Sequence, residues 1–320
     1  MLNKRYKVSS IVSLLMLLWL IPVIYYISVI YSGGDQISYH DAYYSMNNGM
    51  VQNYLKYNLL LGSFEFVHFL TISAASQFFE KNIFFTFINF IFLISGIYAV
   101  SKNTLRPYWL ICILFLSNYY VHVLLFSAER LKLGFLFFFL AMIFYKTAYK
   151  KYFFIIMSIL THFSLIGLYA ALSTKPTIDS LKRFFRYGRI PLIFFPLTIL
   201  IILATIYIAE PILIKIIAYK EDYGGLSNVI QLSSLILLGY IYAKNNKSQL
   251  LIFLLVIMFM AFFVGDSRLN MFGILYFQYH FLKYERIFSI PFILLSIYIF
   301  YKLIDFYIFT FLYGDAFYGL

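Results

Sequence analysis

The chain has 320 residues, of which 63% are hydrophobic and only 12% are charged. A soluble domain is typically about half apolar and about a quarter charged, so a single core could not bury this excess. Lipid must solvate much of the surface, and the composition excludes an ordinary soluble enzyme. The net charge of +12 does not indicate nucleic-acid binding, because cytoplasmic loops of membrane proteins collect Lys and Arg.

The apolar segments are predicted to be helices. In hydrocarbon every backbone polar group needs a partner within the protein, which leaves helices or a closed barrel. Barrel strands alternate apolar and polar residues, whereas Ile190–Ala209 and Leu250–Val264 are apolar on all sides. The sequence therefore predicts an all-α, polytopic integral membrane protein with one transmembrane domain over residues 1–320.

The first apolar run, Val8–Tyr31, follows three basic residues and resembles a signal peptide at first sight. It is longer than the apolar part of a signal and has no A-x-A site. We expect an uncleaved first helix with its N-terminus in the cytoplasm. Cys112 is the only cysteine, so an intrachain disulfide is excluded.

A spanning helix needs roughly 20 apolar residues. Segment length and hydropathy favour about 10–12 transmembrane helices, several of them short enough to be broken or re-entrant. The predicted spans are Val8–Tyr31, Asn82–Val100, Pro107–Phe126, Leu131–Tyr145, Tyr152–Leu172, Ile190–Ala209, Asn228–Ala243, Gln249–Val264, Leu269–Leu282 and Ile287–Tyr313.

Clusters of Lys and Arg distinguish two topologies. In the favoured one all six clusters face the cytoplasm, Asn58–Phe79 enters and leaves from outside, and Tyr152–Leu172 forms two half-helices that turn near His162. In the rival one both segments are single spans. The favoured topology places the polar segments 32–57 and 210–227 outside as loops. The six clusters are Lys4/Arg5/Lys7, Lys102/Arg106, Lys146/Lys150/Lys151, Lys175/Lys182/Arg183/Arg186/Arg189, Lys244/Lys247 and Lys283/Arg286.

Ionisable residues within apolar segments are costly, so each is a candidate functional group. Glu129, Arg130 and Lys132 open an apolar helix, where a guanidinium and the helix N-terminus suit a phosphate. A local pair of Glu129 with either cation is the alternative. Asp266 and Arg268 lie between two apolar runs, where Asp266 could hold Arg268 for phosphate binding or both could form a surface turn.

Two further candidates could handle protons. Glu65 lies between Phe64 and Phe66, and a carboxylate in such a place suits a general acid or base. His68 is three residues on, so a structural Glu65–His68 pair is the alternative. His162 lies within an apolar stretch and is either a proton carrier or a hydrogen-bonded structural residue.

A polar group follows the first helix. Asp35, His40 and Asp41 could bind a polar substrate or cap the next helix, and their spacing is not a specific metal signature. The chain has no Walker loop, G-x-G-x-x-G, C-x-x-C or D-x-D motif, which disfavours nucleotide-dependent chemistry. We therefore expect no cofactor and no metal.

Taken in order, these motifs resemble the Wzy/EpsG-type polysaccharide polymerases of bacterial envelopes. Leu131 stands after Arg130 where that family often has Gln, Thr161 stands before His162 where Phe is frequent, and the Pro-Gly that often follows the Glu motif is missing. The matching segments are Gly33-Gly34-Asp35 with its Tyr-rich continuation, Phe64-Glu65-Phe66, Ser127-Ala128-Glu129-Arg130, Leu160-Thr161-His162-Phe163-Ser164 and the late Arg268.

The resemblance implies a GT-C-like glycosyltransferase of the bacterial inner membrane with its active site facing the periplasm. Such an enzyme moves a growing glycan from undecaprenyl diphosphate onto a new undecaprenyl-diphosphate-linked repeat unit, O-antigen being favoured over capsule or exopolysaccharide. Its partners would be that oligosaccharide, the bilayer, a flippase and a chain-length regulator. The rivals are a lipid-linked glycan ligase, an acetyltransferase, and a transporter or flippase for the same lipid.

The resemblance also suggests roles for the candidates. Arg130, Arg268 and Lys132 would stabilise the leaving diphosphate, as fixed cations stabilise a developing anion. Glu129 and Asp266 would support them. The acceptor hydroxyl needs a base or an orienting group, for which the candidates are Glu65, His162 and Asp35.

The favoured topology can be tested with single cysteines at Ser38 and Ser180 in a Cys112→Ser background. We expect a membrane-impermeant thiol reagent added to spheroplasts to label position 38, and to label position 180 only after the membrane is permeabilised. Labelling of position 180 from outside would contradict the topology.

Overall fold

A computed structural model describes residues 2–46, 49–62, 64–187, 226–264 and 267–317. All regular secondary structure in these ranges is helical, which confirms the predicted all-α class. The predicted span Ile190–Ala209, the supporting residue Asp266 and most of the predicted loop 210–227 lie outside the described ranges.

The chain forms two compact units, Met1–Leu165 with Phe292–Leu320, and Ile166–Pro291. The prediction of a single transmembrane domain stays a prediction. The helices of the first stretch are α1 Leu2–Ile30, α2 Gln36–Tyr44, α3 Met50–Leu61, α4 Phe66–Ala75, α5 Lys81–Thr104, α6 Tyr108–Leu116, α7 Tyr119–Phe126, α8 Glu129–Ile143 and α9 Ala148–Thr161. Those that follow are α10 Leu165–Tyr187, α11 Leu226–Tyr242, α12 Lys247–Val264, α13 Ser267–Tyr284 and α14 Ile290–Tyr313.

Among the described helices, α5 and α14 are long and apolar enough to cross a membrane. Two bent pairs also qualify when each is taken as one span: α3 with α4, bent by 114°, and α6 with α7, bent by 71°. These two to four candidates support a membrane protein. They are fewer than the 10–12 spans predicted, partly because segments such as α8 and α9 form helices of only 15 and 14 residues.

Helix breaks divide the apolar segments. The predicted break at His162 is present, because α9 ends at Thr161 and α10 begins at Leu165. Another break follows α3, which Gly62 ends in a left-handed conformation that glycine adopts without strain. The segment 32–57, which was expected to be an outer-face loop, is largely helical: it contains α2 and most of α3, whose buried faces include Tyr39, Tyr43 and Tyr57. Its location at the outer face stays a prediction.

Backbone contacts join the segment after α1 to the end of α14. The amides of Ser32 and Gly33 both donate to the carbonyl of Gly314, at 2.9 and 3.0 Å. A side chain at Gly33 would overlap Asp315, so glycine permits this close approach. The start of α2 is thereby fixed against the last helix.

The helices α8 and α9 pack closely at Gly134. Ser158 Oγ donates a hydrogen bond of 2.8 Å to the Gly134 carbonyl. A Cβ at Gly134 would overlap Leu165 and lie 3.6 Å from the Cβ of His162. The absence of a side chain at this position therefore lets the break around His162 lie against α8.

We expect Gly134→Leu to lower the free energy of unfolding by about 1–3 kcal/mol, because the added atoms must displace Leu165 and the break beside it. Thermal unfolding of the detergent-solubilised protein measures this change. Gly49→Leu is the matched control, since nothing lies within 4 Å of a Cβ built at Gly49. Equal stability of the two variants would show that the α8–α9 contact tolerates a side chain.

Candidate functional site

Three ionisable residues from distant parts of the first unit meet in its interior. Glu65 immediately precedes α4, Arg130 is the second residue of α8, and His162 follows the last residue of α9. Their exposed fractions are 1%, 7% and 6%. All three residues lie at the ends of helices, where the chain changes direction, and all three side chains point into the interior of the first unit. We call Glu65, Arg130 and His162 the charged cluster.

The Glu65 carboxylate is the centre of the charged cluster. Its Oε2 accepts a hydrogen bond of 2.8 Å from Arg130 Nη1, and its Oε1 lies 2.9 Å from His162 Nδ1. Each carboxylate oxygen thus has its own nitrogen neighbour. Charges buried this deeply persist only when paired, so the contact with Arg130 is what allows an ionised Glu65 in this apolar interior.

Tyr39, on α2, adds a polar and an aromatic contact. Its hydroxyl accepts a hydrogen bond of 3.1 Å from Arg130 Nε, and the guanidinium carbon lies 5.7 Å from the centre of its ring. Lys81 Nζ lies 6.0 Å from the same ring centre. Tyr39 therefore fixes the direction of the Arg130 fork and places an aromatic face beside the charged cluster.

His68, on α4, pairs with Tyr57 and not with Glu65. Its Nδ1 lies 2.9 Å from the Tyr57 hydroxyl, and both side chains are fully buried. The alternative of a Glu65–His68 pair was wrong, because Glu65 precedes α4 with a non-helical backbone (φ −76°, ψ 86°), so helical i, i+3 spacing does not apply.

Glu129 belongs to a second buried network. Its Oε1 lies 3.3 Å from Lys81 Nζ, which also donates a hydrogen bond of 2.8 Å to Gln36 Oε1. The sequence alternatives that paired Glu129 with Arg130 or Lys132 were therefore wrong. The actual partner lies 48 positions earlier at the start of α5, a separation that local spacing cannot indicate.

Lys132 connects three elements around the end of α7. Its Nζ donates to Asn89 Oδ1 at 2.6 Å and to the Leu125 carbonyl at 3.0 Å, and it lies 4.9 Å from the centre of the Phe85 ring. Gln36 donates likewise to the Phe126 carbonyl at 2.7 Å. Both side chains satisfy carbonyls that the last turn of a helix leaves without backbone donors. The predicted diphosphate role of Lys132 stays a prediction.

The remaining candidates lie elsewhere. Asp35 is exposed, immediately before α2. Arg268 is half-buried in the first turn of α13, within the second unit. The part of the chain that the structure describes contains no group of three or more His, Cys, Asp and Glu side chains that could hold a metal ion.

The ion pair at the centre of the charged cluster predicts non-additive mutants. We expect Glu65→Gln and Arg130→Met each to lower the free energy of unfolding by about 3–5 kcal/mol, because each leaves a buried charge without its partner. The double variant should lose less than the sum of the two, since it removes both charges. Thermal unfolding in detergent measures all three.

Asp41→Asn is the control for these variants, because the Asp41 side chain is 58% exposed. Its stability should match that of the wild type. Strictly additive losses in the double variant would show that Glu65 and Arg130 do not stabilise each other.

Comparison with known proteins adds no assignment to this geometry: the sequence matches no protein-family model, and it has no significant match among curated proteins or solved structures.

Proposed function

We propose that the chain is a membrane glycosyltransferase that polymerises lipid-linked saccharides. It would transfer a growing glycan from undecaprenyl diphosphate onto a new undecaprenyl-diphosphate-linked repeat unit at the outer face of the bacterial inner membrane. The observation that carries the proposal is the charged cluster. Three of the motif positions on which the polymerase resemblance depends, Glu65, Arg130 and His162, lie in contact although they are far apart in sequence.

The chemistry needs a group that takes the proton of the acceptor hydroxyl. Both oxygens of Glu65 already have nitrogen neighbours, which makes this carboxylate a better orienting group than a base. A carboxylate beside Nδ1 favours a proton on that nitrogen and leaves Nε2 to accept one. We therefore assign His162 Nε2 as the base and Glu65 as the residue that positions its ring.

The bond changes then balance. The acceptor oxygen gives its proton to His162 and attacks the anomeric carbon of the growing glycan, while the bond from that carbon to the diphosphate oxygen breaks. The bonding electrons leave with the lipid diphosphate. No nucleotide is consumed, because the sugar–phosphate bond supplies the driving force.

The charged cluster would change its charge during this step. Before the reaction, Arg130 and an ionised Glu65 cancel, and His162 is neutral. Once His162 holds the acceptor proton, the three side chains carry a net charge of about +1. This charge develops as the leaving diphosphate becomes more negative, so it would favour the transition state over the bound substrate.

Other predicted roles complete the proposal. The predicted role of Arg268 in diphosphate binding, supported by Asp266, stays a prediction. Asp35, which is exposed, would bind polar groups of the saccharide and not the transferred proton. The short and bent helices fit a GT-C-like membrane domain, in which apolar grooves hold the polyprenyl chains.

We expect deletion of the gene in its host to leave single repeat units on the surface glycolipid, without the ladder of longer chains. Gel electrophoresis of the glycolipid shows this pattern, and a plasmid copy of the wild-type gene should restore the ladder. Loss of every repeat unit would instead indicate a flippase or a ligase, and an unchanged ladder would exclude a polymerase.

We expect His162→Gln to slow chain growth by about 10²–10⁴-fold, the usual contribution of a general base. The assay is incorporation of lipid-linked repeat unit extracted from the deletion strain by purified protein in detergent. Lys146→Gln is the control, because Lys146 is exposed and belongs to none of the candidate sites, and it should keep wild-type activity. A His162→Gln variant that is folded and fully active would remove the assigned base.

A further inference from the structure

His68 has one ring nitrogen with a partner and one without. Nδ1 lies 2.9 Å from the Tyr57 hydroxyl, whereas Nε2 is buried and has no hydrogen-bond partner among the described residues. The residue is 0% exposed. Buried polar atoms in native proteins almost always have partners, so this nitrogen needs a group that the described residues do not supply.

His68 also lies beside the charged cluster. Its ring centre is 6.0 Å from that of Tyr39, whose hydroxyl accepts a hydrogen bond from Arg130. The His68 ring interacts electrostatically with Arg130, Glu65 and His162. A ligand that satisfies Nε2 would therefore lie within the same site as the proposed base.

We propose that His68 Nε2 binds a hydroxyl of the acceptor sugar, next to the hydroxyl that His162 deprotonates; this inference rests on the proposed function. It adds His68 to the residues that contact substrate, with Tyr57 holding its ring in place. Because a sugar carries several adjacent hydroxyls, His162 and His68 can engage two of them and fix the one that attacks.

The chemistry of the nitrogen favours a hydroxyl over a phosphate oxygen. Nε2 is a donor in one tautomer of the ring and an acceptor in the other, depending on which way the Tyr57 hydrogen bond runs. A hydroxyl can complete the contact in either case, whereas an ionised phosphate oxygen only accepts.

Two substitutions separate the roles of the two nitrogens. The side-chain amide of Asn lies about as far from the backbone as Nδ1 of His. His68→Asn therefore keeps a hydrogen-bond partner for the Tyr57 hydroxyl but has no polar group at the position of Nε2. The longer side chain of Gln brings its amide close to the position of Nε2. Each variant is purified in detergent and assayed with lipid-linked repeat unit extracted from the deletion strain.

We expect His68→Asn to raise the concentration of repeat unit needed for half-maximal chain growth roughly tenfold, the effect of losing one hydrogen bond to substrate. His68→Gln should raise it less than about threefold. His68→Asn should unfold closer to the temperature of the wild type than His68→Gln, because only Asn keeps a partner for the buried Tyr57 hydroxyl. Activity is therefore compared per amount of folded protein.

The outcomes separate this inference from the proposed function. A wild-type protein that does not extend the repeat unit removes the proposed function. A wild-type protein that extends it, with a His68→Asn variant whose half-saturating concentration is unchanged, removes only the role of His68 and leaves an ordered water as its partner. Equal losses in both variants, in proportion to lost folded protein, would make His68 structural and would also overturn the inference.

Discussion

An ionised side chain in an apolar interior needs polar or oppositely charged partners in place of water, and this constraint organises the first unit of the protein. Glu65 and Arg130 satisfy this requirement by pairing with each other. Together with His162, this pairing requires the start of α4, the start of α8 and the end of α9 to lie close together. The Glu65 carboxylate is 1% exposed, His162 Nδ1 lies beside its second oxygen, and the Tyr39 hydroxyl accepts a hydrogen bond from Arg130. The charged cluster is thus both a folding requirement and a chemically competent arrangement.

The surrounding networks show how the same constraint is met next to the charged cluster. Lys81 pairs with Glu129 and also donates to Gln36. Lys132 donates to the Asn89 side chain and the Leu125 carbonyl, and its ammonium group lies beside the Phe85 ring. Lys81 thus joins α5 to α2 and α8, and Lys132 joins α8 to α5 and α7, and together they hold the start of α8, from which Arg130 reaches Glu65. Substitution of Lys81 or Lys132 would therefore disturb the charged cluster indirectly, by displacing the helices that hold it.

The sequence identified the members of the charged cluster but not most of their partners. Glu65, Arg130 and His162 stand out because ionisable residues are rare in apolar runs, and the break at His162 followed from the topology that places all six basic clusters in the cytoplasm. The contacts of Arg130 with Tyr39 and of Glu129 with Lys81 join residues 91 and 48 positions apart. Such contacts depend on how helices pack, which local spacing does not encode.

The misread segment 32–57 shows a related limit. Its Tyr and Asn content indicated a polar loop, yet Tyr39, Tyr43 and Tyr57 are buried within helices. Tyrosine combines an apolar ring with a hydroxyl that can take a partner in the interior, so its abundance does not distinguish a surface from a core. Here three tyrosines supply a ring, a hydroxyl or both to the interior of the first unit.

The backbone contact of Ser32 and Gly33 with Gly314 has a consequence for biosynthesis. The ribosome makes the segment before α2 early and Gly314 near the end of the described chain. The start of α2, which carries Tyr39, therefore cannot reach its final anchorage until α14 has been synthesised. The insertion machinery must therefore tolerate an incompletely anchored α2 while about 280 later residues are synthesised.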